Sequence, residues 1–199
     1  MIGKFARVAL KTANLDYNGR LCMVSAGAGN KKAFGLDRIS NSWADLEHAK
    51  VVMICGTNVS ETFPTLTHYI WQARDNGAKL IVVDPRVTPI ARTADLHLPV
   101  KPGTDSALYG AMLKILVDND WLDHDFIDNH TSGFLETIEA VKNYDLPWAE
   151  KVTGIPAAKI LEAATLWGKA STSFLLHARG IEHHSKGVDN VVGCINLVL

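Results

Sequence analysis

Residues 51–58, Val51-Val52-Met53-Ile54-Cys55-Gly56-Thr57-Asn58, decide the fold. The run Val51 to Cys55 is apolar throughout and too short for a core helix. It ends at a glycine followed by polar residues, so it reads as a strand buried on both faces, the kind found in parallel sheets. The same grammar recurs along the chain. Lys79-Leu80-Ile81-Val82-Val83 stops at Asp84-Pro85-Arg86, and Ser173-Phe174-Leu175-Leu176-His177 stops near Arg179-Gly180. Leu96-His97-Leu98-Pro99-Val100 is a weaker strand ending in Pro102-Gly103-Thr104-Asp105. Helices are predicted between them, over Pro64 to Asn76, Pro89 to Thr93, Ser106 to Asn119 and Pro156 to Lys169. Pro64 and Pro89 stand where a first helical turn tolerates proline. The stretch from Trp121 to Trp148 reads as short helices and loops. Strands alternating with helices define an α/β fold with a mainly parallel sheet flanked by helices.

In an open parallel sheet, ligands bind outside the carboxyl ends of the strands. Three successive strand ends here carry polar loops. Gly56 permits a tight turn, and Thr57, Asn58 and Ser60 supply hydrogen-bonding groups before the next helix, whose N-terminus suits a phosphate. Asp84 offers a carboxylate to ribose hydroxyls, and Arg86 can pair with phosphate bidentately. Asp105, after Gly103 and Thr104, can take two hydrogen bonds from a guanine edge. Each loop taken alone is also explained by helix capping, Thr88-Pro89 and Thr104-Asp105 being good N-cap arrangements. Taken in series they point to a nucleotide-like ligand. There is no GxGxxG, which argues against an ordinary NAD site.

The remaining composition mostly excludes. A net charge of -1 gives no electrostatic case for nucleic acid or an anionic membrane. Hydrophobic residues at 47% and charged residues at 21% are ordinary for a globular protein. Cys22, Cys55 and Cys194 are odd in number and widely spaced, so neither a disulfide framework nor a CxxC site is indicated, and a reducing compartment is expected. The N-terminus lacks the apolar core of a signal peptide, and no segment is long enough to span a membrane. A cytoplasmic location is the expectation. The final run, Val191 to Leu199, is apolar without a cap or polar tail and is expected to leave core surface exposed; the chain reads as a piece of a longer protein.

Asn18-Gly19-Arg20-Leu21-Cys22-Met23-Val24-Ser25-Ala26 places a cysteine between a polar turn and small residues. On its own Cys22 reads as a small buried hydrophobe, as most free cysteines are. Taken with Cys55 to Thr62, Val83 to Thr88, Pro102 to Asp105, Ala178 to His184 and Gly187 to Asn190, the ordered set resembles the molybdopterin guanine dinucleotide oxidoreductases related to nitrate reductases and formate dehydrogenases. The likeness covers nearly the whole chain. It implies a Rossmann-like domain at 51–199, truncated at its C-terminus, behind a segment at 1–50 that carries the metal ligand and lead-in helices. Cys22 would bind molybdenum as thiolate, a role for a soft, readily deprotonated ligand. Asn18, Gly56, Thr57, Asn58, Ser60, Glu61, Asp84, Pro85, Arg86, Thr88, Gly103, Thr104, Asp105, Arg179 and His183 would touch the bis(molybdopterin guanine dinucleotide) cofactor. Arg179 and His183 would also serve the substrate in catalysis.

The resemblance further implies a 4Fe-4S cluster and an electron-transfer partner. The cysteine quartet and lysine of the family's iron-sulfur domain are absent from this sequence, as is the domain that holds much of the second pterin, so this piece alone is expected to be inactive. The substrate would be a small anion, nitrate or formate. Formate dehydrogenases of this kind carry a histidine directly after the metal-binding residue, whereas Met23 stands there in this chain and resembles the nitrate reductases. Reduction of nitrate to nitrite is the expected reaction, with formate oxidation as the alternative. A reading of another class is a non-catalytic nucleotide-binding module, or a middle domain like those of thiamine-dependent enzymes. It would leave Cys22 without a role.

Overall fold

Strands β1 (Val51–Cys55), β2 (Lys79–Val83), β3 (Leu96–Leu98) and β4 (Ser173–His177) pair in the order β3-β2-β1-β4, and every pairing is parallel. The computed structural model that shows this describes residues 1–16, 18–37 and 41–199, and of Arg20 only the backbone. Strand β1 lies at the centre and is buried along its whole length. Its side chains alternate between two cores, because successive residues of a strand face opposite ways. Val51, Met53 and Cys55 join Ile81, Val83 and Leu98 on one face, and Val52 and Ile54 join Leu80 and Val82 on the other. This explains the uninterrupted apolar runs. Each large apolar side chain so buried contributes roughly 1.5–3 kcal/mol.

Helices cover both faces. After the short N-terminal helical turns Ile2–Lys4 and Phe5–Ala9 they are, in chain order, α1 (Gly19–Cys22), α2 (Val24–Phe34), α3 (Val59–Thr62), α4 (Thr67–Asp75), α5 (Asp105–Asp118), α6 (His124–His130), α7 (Phe134–Val141), α8 (Leu146–Thr153), α9 (Ala157–Gly168), α10 (Arg179–Glu182) and α11 (Gly187–Asn196). The first core is closed by α5, α9 and α11, and the second by α4 and the short turn Trp43–His48. Helix α2 packs along α11 at very close range: a Cβ built on Gly29 would stand 2.5 Å from Cγ1 of Val191. That contact carries the N-terminal segment onto the body of the fold.

Several boundaries differ from expectation for identifiable reasons. Strand β3 ends at Leu98 because Pro99 has no N–H to continue the ladder, and the Val100 amide turns back to the Leu98 carbonyl. The helix expected from Pro64 to Asn76 is present, opening as a 3-10 turn at Pro64–Leu66 and continuing as α4 to Asp75, and what the sequence did not show is the short α3 ahead of it. Phe63, which precedes a proline, adopts φ −139° and ψ 57°, separating α3 from the turn Pro64–Leu66 that leads into α4. The helix expected over Pro89 to Thr93 is a single turn, Ala91–Thr93. The C-terminal run is largely packed, although Leu197, Val198 and Leu199 also border an open cavity beside Trp167. Val191, Cys194, Ile195 and Leu197 are buried, Trp167 Nε1 donates to the Leu197 carbonyl at 2.7 Å, and Val198 is the exposed large apolar residue.

Candidate functional site

All parallel strands deliver their carboxyl ends to one edge, so the loops after Cys55, Val83, Leu98 and His177 lie side by side. The order β3-β2-β1-β4 means that the chain leaves β1 toward β2 on one side and returns as β4 on the other. The resulting switch point lies between the ends of β1 and β4, where open α/β sheets place their ligands. Backbones meet there without intervening side chains. Gly56 has φ +57°, and the Gly180 amide donates to the Gly56 carbonyl at 2.9 Å. A Cβ on Gly180 would stand 2.5 Å from that carbonyl oxygen, and one on Gly56 would stand 2.7 Å from the Ile181 nitrogen. Only glycine fits either position.

Beyond this junction the turn after β4 reaches back to α1. Cys22 ends α1, and Met23, at φ −133° and ψ 19°, separates it from α2. The Cys22 carbonyl accepts from Arg179 Nη1 at 3.1 Å and lies 2.7 Å from His183 Nε2. A carbonyl oxygen can only accept, so His183 carries its hydrogen on Nε2. The same Arg179 nitrogen donates to Glu182 Oε2 at 2.6 Å. The Glu182 side chain has no exposed surface, while that of Arg179 keeps 39% of its own. On the other side of the carboxylate, Oε1 lies 3.5 Å from His177 Nδ1, an ion-pair distance without a formed hydrogen bond. The structure thus gathers Cys22, Arg179 and His183. Glu182 and His177 belong to the same cluster and were not anticipated. The signal for Glu182 was its i+3 spacing from Arg179 on one helical turn, which places two opposite charges within reach.

The other loops differ in what they have to offer. Asn58 is buried, and its Oδ1 accepts from Ser60 Oγ at 3.1 Å while its Nδ2 has no partner among the described residues. A buried, unpaired amide donor is costly unless a ligand takes it. Thr57 is buried and Glu61 exposed, and the Glu61 amide donates to the Asn58 carbonyl. Asp84 is buried and already engaged: Oδ1 accepts from the Arg86 amide at 2.8 Å, and its carbonyl lies 2.8 Å from His97 Nε2. Pro85 and Arg86 are exposed. Thr88 Oγ1 accepts from the Ala91 amide at 3.2 Å, a true cap. Thr104 does not cap α5; its hydroxyl donates to the Lys101 carbonyl at 2.8 Å. Gly103 has φ +85°, and its position brings the loop to His184. Burial pushes the Asp105 carboxyl above the usual carboxylate range, an effect partly offset by its own backbone amide, by nearby His184 and by the Gly103 amide. Asn18 is exposed at the start of α1, where its carbonyl accepts from the Leu21 and Cys22 amides.

Among the described residues no group of three His, Cys, Asp or Glu side chains is placed to hold a metal ion. Cys22 offers one sulfur donor, so a metal held there would need its other ligands from an organic cofactor. The unpaired Asn58 amide and the exposed Arg86 on the same edge fit the polar tail of such a cofactor. A cavity of about 690 Å³ lies elsewhere, lined by Trp121, Phe134, Trp167 and Leu199 beside Ser173 at the amino end of β4.

A sequence model described as molybdopterin oxidoreductase matches residues 1–199. The assimilatory nitrate reductase catalytic subunit of Bacillus subtilis (strain 168) is 41% identical over 200 aligned residues, covering 100% of this chain and 28% of that protein. The F420-dependent formate dehydrogenase 1 subunit alpha of Methanococcus maripaludis is 37% identical over 98% of this chain and 29% of its own length. Among solved structures, acetylene hydratase from Pelobacter acetylenicus superposes with a TM-score of 0.77 at 28% identity, covering 86% of this chain and 23% of that one. The chain thus spans less than a third of the relatives it matches.

Proposed function

Because the chain belongs to the molybdopterin oxidoreductase family, we propose that it is the part of a nitrate reductase catalytic subunit that supplies the metal's protein ligand and grips a pterin guanine dinucleotide. In this reading 1–50 carries the ligand segment and 51–199 is the dinucleotide-binding domain. The observation that carries it is the fixing of the Cys22 peptide by Arg179 and His183 at the carboxyl edge of the sheet. Family membership sets aside the thiamine-enzyme reading.

When bound, the molybdenum cofactor supplies the redox centre at which nitrate gains a pair of electrons and, with a pair of protons, leaves as nitrite and water. The residues do the rest. Cys22 would present its sulfur to the metal from a peptide whose carbonyl is held twice, so the side chain starts from a fixed backbone. Arg179, still partly exposed, places a permanent positive charge where a small anion would approach. His183 donates Nε2–H to the Cys22 carbonyl, and its neutral form would leave Nδ1 to accept a proton. The Gly56 to Glu61 loop, with its unpaired Asn58 amide, and Arg86 would hold phosphate groups, and Asp105 would take the guanine edge.

Nitrate is favoured over formate by Met23, which occupies the position that a histidine holds in formate dehydrogenases of this type. The similarity to an assimilatory enzyme supports a cytoplasmic setting, with electrons arriving from a partner through an iron-sulfur cluster outside this chain. Formate oxidation is the second reading, favoured by the 37% identity to a formate dehydrogenase subunit. The deciding assay gives the full-length enzyme reduced dye with nitrate and, separately, oxidised dye with formate. Nitrate consumption is expected. Formate-dependent dye reduction without nitrate consumption would replace the reaction, and near-normal turnover of Cys22→Ala would refute the ligand assignment.

A further inference from the structure

A carboxylate with no exposed surface is retained only where it is paired, because desolvating the charge costs several kcal/mol. Glu182 is such a group, and its partner does more than neutralise it. One nitrogen of Arg179 serves both Glu182 Oε2 at 2.6 Å and the Cys22 carbonyl at 3.1 Å, so the guanidinium is a bridge between a buried anchor and the peptide of the candidate ligand. The anchor is itself built in. Ile181 and Glu182 are buried in α10, Asn190 Nδ2 of α11 donates to the Ile181 carbonyl at 2.9 Å, and the Gly180 amide ties the same turn to Gly56. Arg179, by contrast, is partly exposed and would be free to swing if its anchor were lost.

We propose that Glu182 is a positioning residue: through Arg179 it fixes the Cys22 peptide, and thereby the geometry of the thiolate at the metal. The proposal rests on the reading of Cys22 as the molybdenum ligand and makes a claim about distance rather than charge. The reach of the carboxylate matters because Arg179 must touch two acceptors at once. Shortening the side chain by one methylene draws the guanidinium away from Cys22, whereas replacing one carboxylate oxygen by an amide leaves an acceptor in place.

The test uses full-length enzyme carrying Glu182→Asp or Glu182→Gln. Molybdenum content, the electron paramagnetic resonance signal of partly reduced metal and turnover are measured against wild type. E182D is expected to keep its molybdenum but shift the signal and lose about 10- to 100-fold in turnover, the range typical of outer partners of metal ligands. E182Q is expected to keep the wild-type signal and most of the turnover. The opposite pattern, with E182D normal and E182Q impaired, would show an electrostatic role and overturn the proposal. Wild-type signals in both variants, or loss of metal and solubility in both, would overturn it as well. A wild-type enzyme without molybdenum would instead bring down the reading of Cys22, and this proposal with it.

Discussion

Gly180→Ala tests the junction on which the site is built. Gly180 lies in the α10 turn and is not among the residues with positive φ. On backbone grounds alone alanine there should be neutral or stabilising by up to about 1 kcal/mol. The structure predicts the opposite sign. The new Cβ would stand 2.5 Å from the Gly56 oxygen, 2.6 Å from its Cα and 2.8 Å from its carbonyl carbon, all backbone atoms that cannot rotate away. Relieving that overlap costs about 1–3 kcal/mol of overpacking. It also lengthens the Gly180–Gly56 hydrogen bond, for roughly another 0.5–1.5 kcal/mol. After a helix-propensity gain of about 1 kcal/mol the net loss is about 0.5–3.5 kcal/mol, or a fall in Tm of roughly 1–14 °C for a chain of this size. Gly77→Ala is the matched control. Gly77 has φ +90° and nothing within 4 Å of a built Cβ, so alanine there carries only the left-handed strain of about 1–2 kcal/mol. Thermal and urea unfolding followed by circular dichroism would measure both. A G180A protein that melts at or above wild type would refute the close approach of β1 and β4.

Other consequences are equally direct. Because burial raises the Asp105 pKa, wild type carries a desolvation penalty only where that carboxyl is ionised in the fold, so the stability it contributes is present at acid pH and lost as pH rises through its folded pKa. Asp105→Asn should therefore be more stable than wild type at neutral pH by a margin that shrinks on acidification; a margin independent of pH in urea titrations would contradict this. Trp167→Phe removes the 2.7 Å bond to the Leu197 carbonyl and should cost about 1–2 kcal/mol, visible as earlier proteolysis of the C-terminal residues. Arg86→Ala, at an exposed position, should leave unfolding within about 0.5 kcal/mol of wild type while lowering the cofactor that copurifies with the full-length enzyme. Unchanged cofactor content would remove Arg86 from the phosphate site.

Much of this arrangement was legible because the sheet is central and doubly covered. A strand such as Val51–Cys55, which must be apolar on both faces, leaves an unambiguous run in the sequence. Helix limits were legible in α5, α9 and the stretch from Pro64 to Asp75, whereas the four-residue α3 ahead of Phe63-Pro64 is too short to leave a periodic signal. The packing of the C-terminal run was only partly legible, because its apolar residues meet Trp167 and α2 through contacts set by chain topology and not by neighbouring sequence. Within the site, Arg179 and His183 were legible as motif members, but nothing in the sequence showed that both reach a carbonyl. Glu182 escaped for a related reason. A charged side chain at a loop reads as solvated, and its complete burial is a property of the packed turn between β4 and α11.

The clasp on Cys22 joins residues 157 and 161 positions apart, nearly the full length of the chain. At synthesis rates of about 5–20 residues per second, the 157 residues to Arg179 take roughly 8–31 s to appear after Cys22 does. During that interval the cysteine is covalently present but unclasped, and closing so long a loop waits on the last strand docking beside the first. Completion of the ligand peptide therefore waits on β4, and insertion of a metal cofactor before β4 pairs with β1 would meet a thiol whose backbone is not yet fixed.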